Sequence, residues 1–173
     1  LATSNQQLFM LNILNKKPNL FIPTLMLLMS AGPLAGAYIS EYGFGYTPCP
    51  LCLYQRVPYA IIALAAILMP LLGSRAHIGR FLFLCAVLFL VDAGIAGYHT
   101  GVEQKWWEGL EGCNDNIVAS TIDDLRAALL NTPIARCDEP AFTFIGLSMA
   151  AWNFIYAFCA AIFSFILFGR FSK

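Results

Sequence analysis

Charged residues are scarce in this sequence. Asp, Glu, Lys and Arg make up 12% of its 173 residues and hydrophobic residues 59%, whereas a soluble domain carries about 25% charged residues. The ten basic and ten acidic side chains cancel, which excludes a basic surface for nucleic acid and an acidic tail. No internal repeat or low-complexity segment is present. Length and composition therefore predict one integral membrane domain, covering residues 1–173.

Four apolar runs are long enough to cross a bilayer. A helix rises about 1.5 Å per residue, so about 20 residues span a hydrocarbon core of roughly 30 Å. The predicted spans are residues 20–40, 53–72, 81–98 and 144–168, with outer loops at 41–52 and 99–143. We therefore expect an all-α membrane protein, a bundle of four transmembrane helices. Residues 1–19 are interpreted as either an interfacial helix or a disordered lead.

The first span also resembles a secretory signal, because Lys16 and Lys17 precede an apolar run with small residues. The run continues past those small residues to Ile39, which favours an uncleaved anchor.

Basic side chains are unevenly distributed between the loops. Six lie at the chain ends or in the 73–80 link: Lys16, Lys17, Arg75, Arg80, Arg170 and Lys173. The long 99–143 loop is instead rich in acidic residues. The positive-inside rule then predicts that both termini are cytoplasmic and that the loops at 41–50 and 99–143 face outward.

The long outer loop contains a predicted amphipathic helix. Ser120 or Thr121 would cap it, and Ile122, Leu125 and Leu129 fall on one face. Such a helix would lie on the membrane surface.

This topology separates the six cysteines. Cys49, Cys52, Cys113 and Cys137 lie on the outer side, where disulfides persist in a bacterium or an organelle. Cys85 and Cys159 fall within spans and are predicted to be buried, inert thiols. Asp92 also falls within a span, and it should face the bundle because a charge in lipid is costly.

Cys49-Pro-Leu-Cys52 stands at the start of the second span. Such a pair can form a small disulfide, bind metal, or cycle between dithiol and disulfide. It closes too small a loop to be a good staple. The helix start and Arg56, one turn further on, would favour a Cys52 thiolate. We interpret the pair as redox-active, although Arg56 could instead reach for lipid headgroups.

Cys113 and Cys137 are separated by 23 residues in the long loop. A disulfide between them could be a staple worth about 3 kcal/mol or a redox shuttle, and the Cys-x-x-Cys pair on the same side favours the shuttle. No metal site is expected, because neither cysteine has a close second ligand and an oxidising compartment opposes thiolate sites. His99, at the outer end of the third span, is either a polar interfacial residue or a donor to a redox ligand.

Several motifs occur together in this chain. They are Cys-x-Leu-Cys-x-Tyr-x-Arg at 49–56, Tyr98-His99, the pair Cys113 and Cys137, and Cys137-Asp-Glu followed by Phe144-Ile-Gly-Leu-Ser-Met and Trp152. In this combination, residues 20–170 resemble the disulfide bond formation protein B (DsbB) family of bacterial inner-membrane proteins. Vitamin K epoxide reductase-like proteins differ, since their Cys-x-x-Cys lies late, in the last core helix.

The resemblance implies a route for electrons. A reduced, periplasmic, thioredoxin-fold DsbA-like partner attacks a Cys113–Cys137 disulfide at Cys113. Cys137 then attacks a Cys49–Cys52 disulfide at Cys49. Cys52 passes two electrons to a membrane quinone, either ubiquinone or menaquinone.

By the same resemblance, Arg56 and His99 lie on the quinone side. The expected activity is that of a protein dithiol:quinone oxidoreductase which sustains disulfide formation. Two alternatives stay open: a disulfide-stapled tetraspan scaffold, which explains Cys49 and Cys52 poorly, and a quinol-linked reductase that uses the same residues in reverse.

Overall fold

The computed structural model describes residues 18–72, 75–110 and 136–171. Within these ranges the chain forms four long helices: α1 Pro18–Tyr38, α2 Pro50–Leu68, α3 Arg75–Glu103 and α4 Met149–Phe171. Each is long and apolar enough to cross a membrane. The predicted all-α membrane fold with four transmembrane helices is therefore confirmed. The predicted surface helix near residues 120–130 lies outside the described residues.

Two helices extend into short irregular turns. α1 contains Pro23 and Pro33 and continues as a π-helical turn, Ile39–Gly43. α2 continues as a 3₁₀ turn, Met69–Leu72. The π-helical turn carries Glu41 beyond the end of α1, towards α2.

Cys49 caps the N-terminus of α2. Its backbone is extended, with φ −75° and ψ 165°, and its sulfur accepts a hydrogen bond from the Cys52 backbone N–H. Pro50 occupies the first helical position, as predicted, because a proline there removes only an N–H that has no partner within the helix. The local sequence thus fixes where the redox motif meets the helix.

The bundle core is apolar and draws on all four helices. It includes Ile22, Met26, Tyr59, Ile62, Phe89 and Ala160. α3 packs most extensively against α4, whose buried residues are all alanine or serine. Small residues let two helix backbones approach closely. At Gly97 of α3 an added Cβ would lie 3.2 Å from the Phe154 ring of α4.

The bounds of α3 and α4 differ from the predicted spans. α3 runs from Arg75 to Glu103, beyond the expected residues 81–98 on both sides. α4 begins at Met149 rather than at residue 144, because Thr143–Phe144 and Leu147–Ser148 pair as a two-stranded antiparallel hairpin, β1 and β2. Both residues between the strands have positive φ, as a type I′ turn requires.

Three residues within the spans test the predictions about burial. Asp92 and Cys85 are both fully buried, as expected. Cys159 is exposed on the outside of the bundle, so the prediction that it is buried is wrong. Large apolar side chains surround it on the exposed face of α4, which is the face that lipid would cover.

Candidate functional site

The two thiols of the Cys-x-x-Cys pair are in contact. Cys49 and Cys52 are both free cysteines, and their sulfur atoms lie 2.9 Å apart and share a hydrogen bond. Cys49 is 4% exposed, whereas Cys52 is only partly buried, and both line a cavity. The two sulfurs are therefore placed where they can form a disulfide with each other.

Negative charge is favoured on Cys49. The hydrogen bond from the Cys52 thiol, opposed by burial and assisted by His99, lowers the pKa of Cys49 from 9.0 to about 4. The Cys52 backbone N–H at the helix start adds to this effect. The direction of this pKa shift favours a thiolate on Cys49 rather than on Cys52. This differs from the expectation that Cys52 carries the charge beside Arg56.

Arg56 has an anionic partner that the sequence interpretation missed. Its guanidinium forms an ion pair with Glu41, with Nη1 and Oε2 2.5 Å apart, and lies 4.9 Å from the centre of the Tyr38 ring. Arg56 Nε is buried and has no hydrogen-bond partner. Glu41 is the only acidic residue between the first two spans, and this position could have identified it from the sequence as a partner for Arg56. Arg56 and Cys52 line the same cavity.

His99 joins the cysteine pair to α2. Its Nδ1 lies 2.9 Å from Gln55 Nε2, and an amide nitrogen can only donate, so Nδ1 is the acceptor. The proton of the neutral ring is then on Nε2, which lies 3.5 Å from Cys49 Sγ and 3.8 Å from Glu103 Oε1. His99 is 4% exposed. The ring is thus a donor to Cys49.

Beneath His99, a chain of polar side chains runs into the bundle. Asn153 Nδ2 donates to Gln55 Oε1 at 2.8 Å and to Asp92 Oδ2 at 3.0 Å. Asn153 Oδ1 accepts from the Tyr59 hydroxyl at 2.6 Å. Gln55 and Asn153 were missed from the sequence. The usable signal was their position inside apolar spans, where polar residues face the interior.

Three side chains of the site come close enough to hold a metal ion. The ligand atoms of Cys49, Cys52 and His99 lie within 4.8 Å of one another. A histidine that binds metal through Nε2 must donate its Nδ1–H to an acceptor. Here the Gln55 amide donates to Nδ1 instead. The site, hydrogen-bonded in this way, does not suit a metal.

A cavity of about 390 Å³ opens beside the cysteine pair. It is lined by the four predicted site residues Cys49, Cys52, Arg56 and His99, together with Gln55, Tyr59, Trp152, Asn153 and Tyr156. Pockets that bind small molecules have volumes of about 300–1,000 Å³ and combine apolar walls with a few polar groups. All four helices contribute residues to this cavity, whose size and lining suit a small, largely apolar ligand.

One cysteine of the second pair, Cys137, lies beside the Cys-x-x-Cys pair. Cys137 is disulfide-bonded and fully buried, and it packs in one cluster with Cys49, Leu51 and Val102. Its predicted partner, Cys113, lies outside the described residues. Five of the six predicted site residues therefore meet within one region of the fold.

Next to Cys137, Arg136 binds Asp138 through two hydrogen bonds of 2.9 and 2.7 Å. This contact lowers the pKa of the Asp138 carboxyl. Arg136 also lines the cavity, so the segment carrying Cys137 forms part of its wall.

Comparison with known proteins agrees with this arrangement. The family model for disulfide bond formation protein DsbB matches residues 19–167. An uncharacterised protein of Rickettsia prowazekii (strain Madrid E) is 30% identical over 159 residues, covering 88% of this chain and 90% of the relative. Disulfide bond formation protein B of Xanthomonas euvesicatoria pv. vesicatoria (strain 85-10) is 31% identical over 136 residues, covering 75% of this chain and 78% of the relative.

Disulfide bond formation protein B 1 of Pseudomonas fluorescens (strain Pf0-1) is 29% identical over 127 residues, covering 70% of this chain and 73% of the relative. No solved structure matches the chain significantly. The family match covers all four helices almost completely, together with the Cys-x-x-Cys motif and the Cys137 segment. The chain therefore belongs to the DsbB family of disulfide bond formation proteins.

Proposed function

We propose that this multi-pass membrane protein, a disulfide-forming oxidoreductase by family, transfers two electrons from a periplasmic dithiol protein to membrane quinone. The observation that carries the proposal is the buried cluster in which Cys137 packs with Cys49, next to a cavity lined by Cys52. Thiol–disulfide exchange requires the attacking and attacked sulfurs to meet. A scaffold whose loops are merely stapled has no need of this contact.

The first exchange takes place in the outer loop. A thiolate of a reduced, thioredoxin-fold, DsbA-type partner attacks Cys113 of the Cys113–Cys137 disulfide. A mixed disulfide forms between partner and Cys113, and Cys137 leaves as a thiolate. The partner's second thiol later displaces Cys113, so the partner becomes oxidised and loses two electrons.

The second exchange joins the two pairs. The Cys137 thiolate attacks Cys49 of the Cys49–Cys52 disulfide, and Cys52 leaves as a thiolate. Attack at Cys49 is supported by burial, because Cys49 belongs to the core of the cluster with Cys137 whereas Cys52 lies at its edge. Cys113 then re-forms its disulfide with Cys137, which releases Cys49 and leaves the reduced pair.

The residues around the cavity fit a quinone ring. Trp152 and Tyr156 offer aromatic walls, and the guanidinium of Arg56, which also lines the cavity, can donate to a carbonyl oxygen. When bound there, the quinone would accept the two electrons of the reduced cysteine pair and two protons. The described contacts would recognise the ring carbonyl groups that ubiquinone and menaquinone share. The choice between the two quinones therefore depends on which of them the membrane contains.

The proposed location is the bacterial inner membrane, with both termini cytoplasmic and the cysteine loops facing the periplasm. The distribution of Lys and Arg supports this orientation. On this view Trp106 and Trp107, both exposed and close to the outer end of α3, lie where aromatic residues collect at the membrane surface.

The test uses purified protein in detergent with a reduced DsbA-type protein and ubiquinone, followed by quinone absorbance. We expect quinone consumption in proportion to partner oxidation, its loss in Cys49→Ser and Cys52→Ser, and full activity in the control variant Cys85→Ala. Absence of quinone consumption by the native protein would refute the proposal. Reduction of an oxidised partner by added quinol, with no reaction in the forward direction, would instead identify a reductase.

A further inference from the structure

Asp92 lies deep in the membrane-spanning part of α3, seven residues before His99. Seven residues correspond to about 10 Å along a helix. Asp92 is fully buried, its Oδ2 accepts from Asn153, and its Oδ1 has no hydrogen-bond partner. An acidic residue at such a position is costly, and Asp92 does not line the cavity. Its carboxylate faces the Tyr59 hydroxyl as well as Asn153, and it connects to the cavity through Asn153.

The hydrogen bonds between Asp92 and His99 can run in only one direction. A carboxylate only accepts, so Asn153 must turn its NH₂ group towards Asp92. The second N–H of that group points to Gln55 Oε1, so Gln55 turns its own NH₂ group towards His99 Nδ1. His99 must then carry its proton on Nε2, facing Cys49.

We propose that Asp92 is a positioning residue which, through Asn153 and Gln55, fixes the Nε2–H tautomer of His99 and so supplies a hydrogen bond to Cys49. If residue 92 offers a hydrogen-bond donor instead of a carboxylate, the side-chain amides of Asn153 and Gln55 can exchange the positions of their oxygen and nitrogen atoms. Gln55 would then offer Oε1 to His99 Nδ1–H, and the Nε2 lone pair would face the Cys49 sulfur. The Cys49 thiolate would lose one of its donors.

Other charged or titratable groups surround these hydrogen-bonded side chains, and none of them is substituted in the test below. Those near His99 are Cys49, Cys52 and Glu103, with Arg56, Arg136 and Glu139 on the same cavity. Tyr59 of α2 faces Asp92 directly, and its hydroxyl donates to Asn153. Any effect of the His99–Cys49 hydrogen bond on quinone reduction rests on the proposed function. The assignment of the His99 tautomer does not depend on that function.

The most decisive variant exchanges the carboxylate and its neighbouring amide, by combining Asp92→Asn with Asn153→Asp. It keeps one buried carboxylate, one amide, the volume and the net charge. Its hydrogen bonds run in reverse, because Asp at 153 accepts from the Gln55 NH₂ group, so that Gln55 presents Oε1 to His99. The single variant Asp92→Asn permits both directions and serves if the double variant does not fold.

The tautomer is measured by ¹⁵N NMR of histidine-labelled, reduced protein in detergent. The chain has only two histidines, and His77→Asn removes the other signal. We expect Nε2–H in the native sequence, Nδ1–H in the exchanged variant and a mixture in Asp92→Asn. Alkylation of Cys49 should shift to higher pH in the exchanged variant by about one unit, a ten-fold change in the thiolate equilibrium.

Retention of the Nε2–H tautomer in both the exchanged variant and Asp92→Asn, with unchanged alkylation, would overturn the inference. Neither measurement requires quinone or partner protein. If the native protein consumes no quinone but the tautomer inverts, the proposed function fails and this inference stands. If turnover is normal and the tautomer never changes, the inference alone fails.

Discussion

Removal of the Cys52 thiol should raise the pKa of Cys49, because that thiol is the principal cause of its low value. A hydrogen bond to a charged group is worth about 1.5–3 kcal/mol, and one pKa unit corresponds to about 1.4 kcal/mol. We therefore expect Cys52→Ala to raise the pKa of Cys49 from about 4 by about one to two units. At pH 5 the thiolate fraction would fall from about 90% to about 10–50%.

The assay is the pH dependence of iodoacetamide alkylation at Cys49, located by mass spectrometry. The background variant carries Cys85→Ala and Cys159→Ala, which removes the other two free thiols among the described residues. Cys52→Ser is the matched control, because a hydroxyl still donates a hydrogen bond, and its midpoint should rise less. An identical midpoint in Cys52→Ala and the parent would refute the assignment of charge to Cys49.

Three further predictions concern the cavity, the outer end of α3 and pH. Arg56→Ala should raise the apparent KM for quinone in a quinone titration, because it removes the guanidinium donor that lines the cavity, and an unchanged KM would exclude that role. Gly101→Ala should lower the thermal unfolding temperature, because its Cβ would lie 2.1 Å from Trp107 and displace a stacked, hydrogen-bonded ring worth about 1–3 kcal/mol. Gly94→Ala, with nothing within 4 Å of its Cβ, is the control, and equal effects would contradict the contact. Finally, since folding lowers the pKa of Cys49 from 9.0 to about 4, its stabilisation is full above pH 9 and is lost as the pH falls towards 4. Thermal unfolding of the reduced protein should show this loss, and the oxidised protein, whose cysteines do not titrate, should not.

Several features of this fold follow from the sequence alone. The four spans follow from uncharged runs of about 20 residues, since a backbone in lipid must satisfy its own hydrogen bonds as a helix. The inward orientation of Asp92 follows from the cost of placing a charge in lipid. Cys49 and Pro50 define the start of α2 because capping and proline preferences act within one helical turn.

The rotation of each helix about its own axis does not follow from the sequence alone. In α4 the inner face is marked by few polar residues, chiefly Asn153 and Ser164, so the sequence indicates only weakly which face lipid covers. The prediction that Cys159 is buried rests on its place in an apolar span, and the structure shows Cys159 exposed. The start of α4 at Met149 likewise depends on pairing between β1 and β2.

The sequence by itself determined the four apolar helices, the place of the Cys-x-x-Cys motif at the start of α2 and the burial of Asp92. Only the tertiary structure decided that Arg56 pairs with Glu41, that His99 and Cys52 lie where they lower the pKa of Cys49, and that Gln55 and Asn153 connect His99 to Asp92. The reason is physical: each of these contacts joins residues on different elements, and hydrogen bonds of about 3 Å depend on how those elements are rotated and packed.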